Sequence, residues 1–81
     1  MPDESQFTEL IEYIVKALVD HPEEVSVSEI DNRSSLILEV SVADDDMGRV
    51  IGKGGVVVNS IRTLVQVLAT KKGKRVSLEI V

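Results

Sequence analysis

The segment between the last two strand patterns of this sequence places the strongest constraint on its fold. Apolar residues alternate with other residues over positions 36–42 and again over 76–80, which is the period-two pattern of β-strands. The residues between them carry one short and one long helical pattern. A strand, two helices and a further strand form a crossover, which places the two strands side by side and parallel. Helices are therefore expected to cover one face of a sheet that contains a parallel pair.

Two long helices are expected from apolar residues at helical spacing. The first contains Phe7 and Val19 and should end by His21, because the residue before Pro22 is disfavoured in the helical region. The second runs from about 56 to 70, and a short helix from Met47 to Val50 precedes it. Acceptors for capping the short helix are expected from Asp44, Asp45 and Asp46. The core side of the second long helix is predicted to be Val57, Ile61, Val65 and Leu68.

A hairpin is expected between the first long helix and the crossover. Apolar residues alternate with serine over 25–30, and Asp31-Asn32-Arg33-Ser34 has the composition of a turn before the strand at 36–42. The predicted order is α-β-β-α-α-β in one domain, residues 1–81. We therefore predict an α+β fold with a three-stranded mixed sheet covered by helices on one face.

The chain has 81 residues and no cysteine, which excludes disulfides and thiolate-bound zinc and fits a reducing compartment. Its amino terminus lacks the basic start and apolar run of a signal peptide, and no apolar stretch approaches the length of a membrane span. We expect a cytoplasmic protein without a membrane partner.

The charge is divided unevenly along the chain. The formal net charge is −5, but residues 1–46 hold thirteen acids and two bases, a net −11, whereas residues 47–81 hold seven bases and one acid, a net +6. Such asymmetry indicates a polyanionic partner for the second half, or two halves that attract each other within one fold.

The most distinctive stretch of the basic half is "GRVIGKGG", residues 48–55. A P-loop would need Ser or Thr where Gly54 stands, and a dinucleotide-binding fingerprint starting at Gly52 would need glycine where Val57 stands. The remaining pattern is G-x-x-G between two helices. Its glycines allow backbone amides to approach a sugar-phosphate chain, and Lys53 adds a mobile charge. The alternative is that the glycines only make a sharp turn.

"VIGKGG", followed by apolar Val58 and Ile61, resembles the V-I-G-x-x-G-x-x-I-x-x-I signature of KH domains, and the element order is similar to their type II arrangement. With "DHPEEV" at 20–25 and "IRTL" at 61–64, the resemblance to small bacterial single-domain KH proteins covers almost the whole chain. It implies a groove that holds about four nucleotides of single-stranded RNA, with the G-x-x-G loop against the backbone.

Carried over by position, the resemblance implies three groups of RNA-binding residues. The loop itself is Gly52, Lys53, Gly54 and Gly55, Arg49 is a phosphate or base contact, and the apolar wall is Val50, Ile51 and Val58. The position after the loop is often basic in the family, but it is Val56 here. Lys71, Lys72 and Lys74 could compensate, although a solvated helix end is the simpler interpretation.

The second long helix is apolar over more of its circumference than one sheet contact needs. At about 100° per residue, a second strip lies away from the core and consists of Val56, Ser60 and Val67, with Leu64 at its boundary. Two copies could pack through this strip in a two-fold dimer, or its valines could be scattered surface residues. The family resemblance implies pairing with a second copy or with a larger KH-containing protein.

No catalytic residue, metal site or cofactor is expected. His21 is the sole histidine and is interpreted as a surface cap, and the three consecutive aspartates are interpreted as helix caps rather than cation ligands. The aromatic residues, Phe7 and Tyr13, both lie on the first helix, so an aromatic stacking platform is not predicted. Two functions remain: an RNA-binding module of low sequence specificity that acts as an RNA chaperone or regulator, or a protein-interaction module with the same fold and little RNA affinity.

Overall fold

The computed structural model describes residues 3–33 and 35–81, with side chains from Phe7 onward. The chain forms helices α1 (Asp3–Leu18), α2 (Met47–Ile51) and α3 (Val56–Lys71). Its strands are β1 (Ser26–Asn32), β2 (Ser35–Ser41) and β3 (Arg75–Ile80). Within the described residues, no helix combines the length and apolarity needed to cross a membrane.

The strands form one mixed sheet in the order β1-β2-β3. β1 pairs with β2 antiparallel, and β2 pairs with β3 parallel from Ser35 opposite Arg75 onward. The predicted hairpin and crossover are therefore confirmed. The hairpin connection is shorter than predicted, because β1 extends to Asn32; Ser34 of the predicted turn, like Met1 and Pro2 of the amino terminus, lies outside the described residues.

The helices pack on one face of the sheet, as predicted. Leu36, Leu38 and Val40 of β2 are buried, whereas the residues between them are only half-buried, so the opposite face is open. Phe7 of α1 is 2% exposed and belongs to the core, as expected from its spacing. The other buried apolar residues are Ile11, Val15, Val42, Val50, Val58, Ile61, Val65, Ala69, Val76 and Leu78.

The predicted capping role of the three aspartates is wrong. Asp44–Asp46 form a 3₁₀ turn, and none of their side chains caps α2. Asp46 has φ −96° and ψ −7°, a helical backbone conformation that differs from the extended conformation of a capping residue. Its buried carboxylate instead accepts main-chain hydrogen bonds from Asp20 at 3.1 Å and His21 at 3.0 Å. Asp46 thus holds the segment after α1 against the start of α2.

The buried face of α3 is rotated from the predicted one. Ile61 and Val65 are buried as expected, but the other buried positions are Val58 and Ala69, and Leu68 is 38% exposed. Val57, also predicted for the core side, is partly buried. The valine and alanine side chains leave the helix close to the sheet, and the larger Leu68 lies at the rim of the contact.

Candidate nucleic-acid interface

The loop between α2 and α3 is built from glycines in backbone conformations that other residues rarely adopt. Gly52 has φ +78° and ends α2, and its N–H donates to the carbonyl oxygen of Gly48 at 2.8 Å. Gly54 and Gly55 have φ +65° and +81°. Because L-residues with a Cβ are strained at these angles, the two helices can be joined this tightly only by glycines.

The glycines at the two ends of the loop have different surroundings from the one in the middle. A Cβ on Gly52 would lie 2.5 Å from Cγ2 of Val57 and 2.8 Å from its main-chain nitrogen. A Cβ on Gly55 would lie 3.3 Å from Nδ2 of Asn59, whereas a Cβ on Gly54 would meet no atom within 4 Å. Gly52 therefore makes room for the protein's own helix, and Gly54 is the position where the backbone is open to a ligand.

The amino terminus of α3 adds a favourable site for negative charge behind this loop. α3 begins after Gly55, a left-handed residue that has no side chain with which to cap the helix. The first N–H groups of a helix have no partner within the helix, and the aligned peptide dipoles place partial positive charge there. The N–H of Val56, the first residue of α3, already donates to the carbonyl oxygen of Lys53, so the helix dipole is what favours an anion at the loop.

The two cations predicted for this site are both on the surface. Lys53 is exposed at the loop, next to the open Gly54. Arg49 is also exposed, and its Nη2 lies 3.4 Å from a carboxylate oxygen of Asp20. Both side chains of this ion pair are more than half exposed, so a phosphate could replace the carboxylate at little cost.

The three residues predicted to form the apolar wall differ in exposure. Ile51 is 38% exposed and presents apolar surface beside the loop, but Val50 is 0% and Val58 8% exposed. Val50 faces inward from α2, and Val58 faces the sheet from α3, because each of these helices buries one side against the core. Their side chains support the loop from below and offer little surface to a ligand.

Arg62 of α3, for which the sequence predicts no role, connects its helix to the sheet. Arg62 donates from Nη1 to Oδ1 of Asn59 at 2.8 Å and from Nη2 to the carbonyl oxygen of Leu78 at 3.1 Å. Leu78 lies on β3, the outer strand on that side of the sheet. Both acceptors are neutral, so the charge of Arg62 is not neutralised by the groups that hold it. The i, i+3 spacing of Asn59 and Arg62 was visible in the sequence, but the strand edge they face was not.

The side of α3 opposite the core carries the predicted second strip. Val56, Leu64 and Val67 are 59%, 57% and 62% exposed. Ser60 is exposed too, and its hydroxyl donates to the carbonyl oxygen of Val56 at 2.7 Å, so its polar group is satisfied within the helix. The strip is therefore a small-residue, mainly apolar surface.

His21 does not have the capping role expected from the sequence. Its side chain is 43% exposed and does not cap the following 3₁₀ turn, and its Nδ1 lies 3.7 Å from the carboxylate of Glu23. His21, Glu23 and Glu24 bring potential ligand atoms within 4.8 Å of one another. Their proximity follows from their positions in the chain, because the two glutamates lie in the 3₁₀ turn Pro22–Glu24 and His21 directly precedes it.

Comparison with known proteins relates the chain to RNA-binding proteins of similar length. Residues 8–80 match the family described as KhpA/KhpB, KH domain. The chain is 51% identical over 73 residues to the RNA-binding protein KhpA of Clostridium acetobutylicum, covering 90% of this chain and 97% of the relative. It is 52% identical over the same length to RNA-binding protein KhpA of Caldanaerobacter subterraneus, with the same coverage.

The fold is similar to part of a larger protein of known structure. Aquifex aeolicus Era bound to GDP and aluminium fluoride superimposes with a TM-score of 0.68 and 20% identity over 99% of this chain and 31% of that chain. A structure of Era in complex with nucleotides 1506–1542 of 16S ribosomal RNA gives a TM-score of 0.66 with 21% identity, covering 99% of this chain and 30% of that one. At this level of identity, the similarity establishes the fold.

Proposed function

The chain belongs to the KhpA/KhpB family of KH-domain proteins, and from this premise we propose that it binds single-stranded RNA at the loop between α2 and α3. One observation carries the proposal: an open backbone at Gly54 lies between the exposed Lys53 and the uncapped amino terminus of α3. The positive charge and the helix dipole both favour a phosphate at the same place.

The RNA strand then continues from the loop along the groove between α3 and the free edge of β3. Ile51 offers an apolar contact near the loop, and Asn59 and Arg62 supply hydrogen-bonding groups along α3. An edge strand also presents main-chain N–H and C=O groups. Gly52 and Gly55 shape the loop, while Val50 and Val58 hold it in place from the core.

This binding is proposed to have low sequence specificity. Sequence-specific recognition of single strands commonly stacks bases on aromatic side chains. Phe7 is buried, and Tyr13 is 75% exposed on α1, so neither belongs to α2, α3 or the loop between them. The protein is therefore proposed to act by binding alone, as an RNA chaperone or regulator without catalysis, and in the cytoplasm, as its lack of cysteine suggests.

A titration at two salt concentrations tests the proposal. Binding of a labelled single-stranded RNA is expected to weaken as salt rises, with log K falling by about 0.7 per phosphate contact for each unit of log salt concentration. Three contacts would give a slope near −2 by the same relation. The measurement is fluorescence anisotropy of the labelled RNA; absence of binding at low salt would contradict the proposal and favour the protein-interaction alternative.

A second proposal concerns assembly, because the strip formed by Val56, Ser60, Leu64 and Val67 is exposed on the helix that also begins the RNA site. Its small residues allow two helices to approach closely, and a two-fold axis would place each strip against its copy. We propose that the protein pairs through this strip, with a second copy or with a larger KH-containing protein. The position after the loop is often basic in the family but is Val56 here, and a role of Val56 in this contact explains the difference.

The substitution Leu64→Asp tests pairing through the strip. It places a charge at the centre of the apolar contact and is expected to convert the wild-type dimer to a folded monomer, because an unpaired charge in an apolar contact is strongly unfavourable. Sedimentation velocity measures the change. Tyr13→Asp is the matched control, since it also replaces an exposed apolar side chain, but on α1, and should leave the dimer intact. A monomeric wild type, or a dimeric Leu64 variant, would rule out this interface.

A further inference from the structure

A cluster of basic residues surrounds a cavity at the far end of α3 from the glycine loop. The cavity has a volume of about 260 Å³ and is lined by the end of β1, the β1–β2 connection, the start of β2, the α3–β3 loop and the first residue of β3. Its cations are Arg33, Lys72, Lys74 and Arg75, here called the basic end, and Asp31 is the carboxylate beside them. Four positive charges therefore surround one negative charge.

The topology brings these residues together although they are far apart in sequence. β2 and β3 are parallel and start in register at Ser35 and Arg75, so the segments that lead into them end side by side. Gly73, at φ +73°, allows the chain to turn sharply from α3 into β3. Arg33 thus comes close to the loop after α3, an arrangement that the charge pattern of the sequence did not indicate.

The basic end is continuous with a second cavity beside the carboxyl-terminal half of α3. A second cavity, of about 320 Å³, lies between α3 and β3 and is lined by Gln66, Thr70 and Ser77 among others. It shares Lys74 and Arg75 with the cavity of the basic end. The 16 residues of α3 span about 24 Å, so this helix separates the glycine loop at its start from the basic end by about that distance.

We propose that the basic end binds phosphates of the same RNA strand, beyond the nucleotides held at the glycine loop. This inference rests on the proposed RNA binding and extends it: the loop holds one end of a short segment, and the basic end holds the backbone that leaves the groove. Phosphates fit this site because the cations that line the cavity outnumber its one carboxylate, and the backbone of a single strand supplies anions at regular intervals.

Oligonucleotides of two lengths separate the basic end from the loop. Oligouridylates of four and ten nucleotides are titrated into the wild type and into a double variant that carries Lys72→Gln and Arg75→Gln. Both positions are exposed. The wild type is expected to bind the longer RNA more tightly. The variant should bind the four-nucleotide RNA within about twofold of wild type and the ten-nucleotide RNA about tenfold more weakly, because each phosphate contact contributes about threefold over a moderate salt range. Its salt slope for the longer RNA should fall by about 1.4.

The matched control removes two charges from exposed lysines outside the cavity. Lys16→Gln with Lys71→Gln changes the net charge by the same amount, and it should retain most of the length dependence. The role of the basic end, but not RNA binding at the loop, would be overturned by either of two results. One is equal affinity of the wild type for the two RNA lengths, and the other is an equal loss of affinity for both lengths in the Lys72 and Arg75 variant. Failure of the wild type to bind either RNA would overturn the proposed function together with this extension.

Discussion

Replacing Lys53 and Gly54 together with aspartate is expected to weaken RNA binding by about 100-fold or more while the protein stays folded. Hydrogen bonds to charged groups contribute about 1.5–3 kcal/mol each, so loss of the Lys53 contact alone accounts for roughly ten- to a hundredfold. The two carboxylates also repel phosphate and occupy the open space beside Gly54. Fluorescence anisotropy with a labelled single-stranded RNA measures the loss.

The fold should tolerate this double substitution because both positions are exposed. Nothing lies within 4 Å of a Cβ on Gly54, and aspartate tolerates the left-handed region better than most residues. The matched control is Lys16→Glu with Ala17→Glu, which makes the same change in net charge at two adjacent exposed positions of α1. If the control loses as much affinity as the loop variant, the effect is one of overall charge and the loop is not the binding site.

Gly52→Ala is expected to have the largest effect on stability, by about 3 kcal/mol. The angles φ +78° and ψ 168° lie in a region that is essentially restricted to glycine, which costs about 1–3 kcal/mol for another residue. The new methyl group would also lie 2.5 Å from Val57, and overpacking of this kind costs about 1–3 kcal/mol more. For a domain of this size, the loss corresponds to a fall in melting temperature of roughly 15 °C.

The same substitution at two other glycines provides the controls. Gly48 lies within α2 with open space around it, so Gly48→Ala should be neutral or stabilising by up to about 1 kcal/mol. Gly54→Ala keeps the left-handed strain without the contact and should be intermediate. Thermal unfolding followed by circular dichroism ranks the three variants. Equal stability of the Gly52 and Gly48 variants would contradict the close approach of the loop to Val57.

These two experiments assign separate tasks to glycines that look alike in the sequence. Gly52 is required by the fold, because the chain must pass close to the start of α3. Gly54 also has left-handed backbone angles, but no neighbouring side chain would meet a Cβ there, so its lack of a side chain leaves open space beside the loop. A loop variant that binds RNA poorly can therefore be interpreted only together with its stability.

The order of helices and strands could be predicted from the sequence because local patterns determine it. The alternation over 36–42 and 76–80 defined two strands, the helical patterns between them defined a crossover, and a crossover has few possible geometries. The G-x-x-G pattern likewise located the loop, since glycines are required wherever the backbone takes left-handed angles in sequence. These features depend on residues that are near one another along the chain.

Contacts between distant segments were decided only by the tertiary structure. α3 is apolar over a wide arc, so periodicity could not show that the sheet would bury Ala69 and leave Leu68 partly exposed. Asp46 looked like a local cap, but its hydrogen-bond partners are 25 and 26 residues away. The hydrogen bond from Arg62 of α3 to the carbonyl oxygen of Leu78, and the position of Arg33 beside the α3–β3 loop, depend in the same way on how the strands pair. Hydrogen-bond partners and burial are set by distances in space, and a pattern along one chain contains no measure of them.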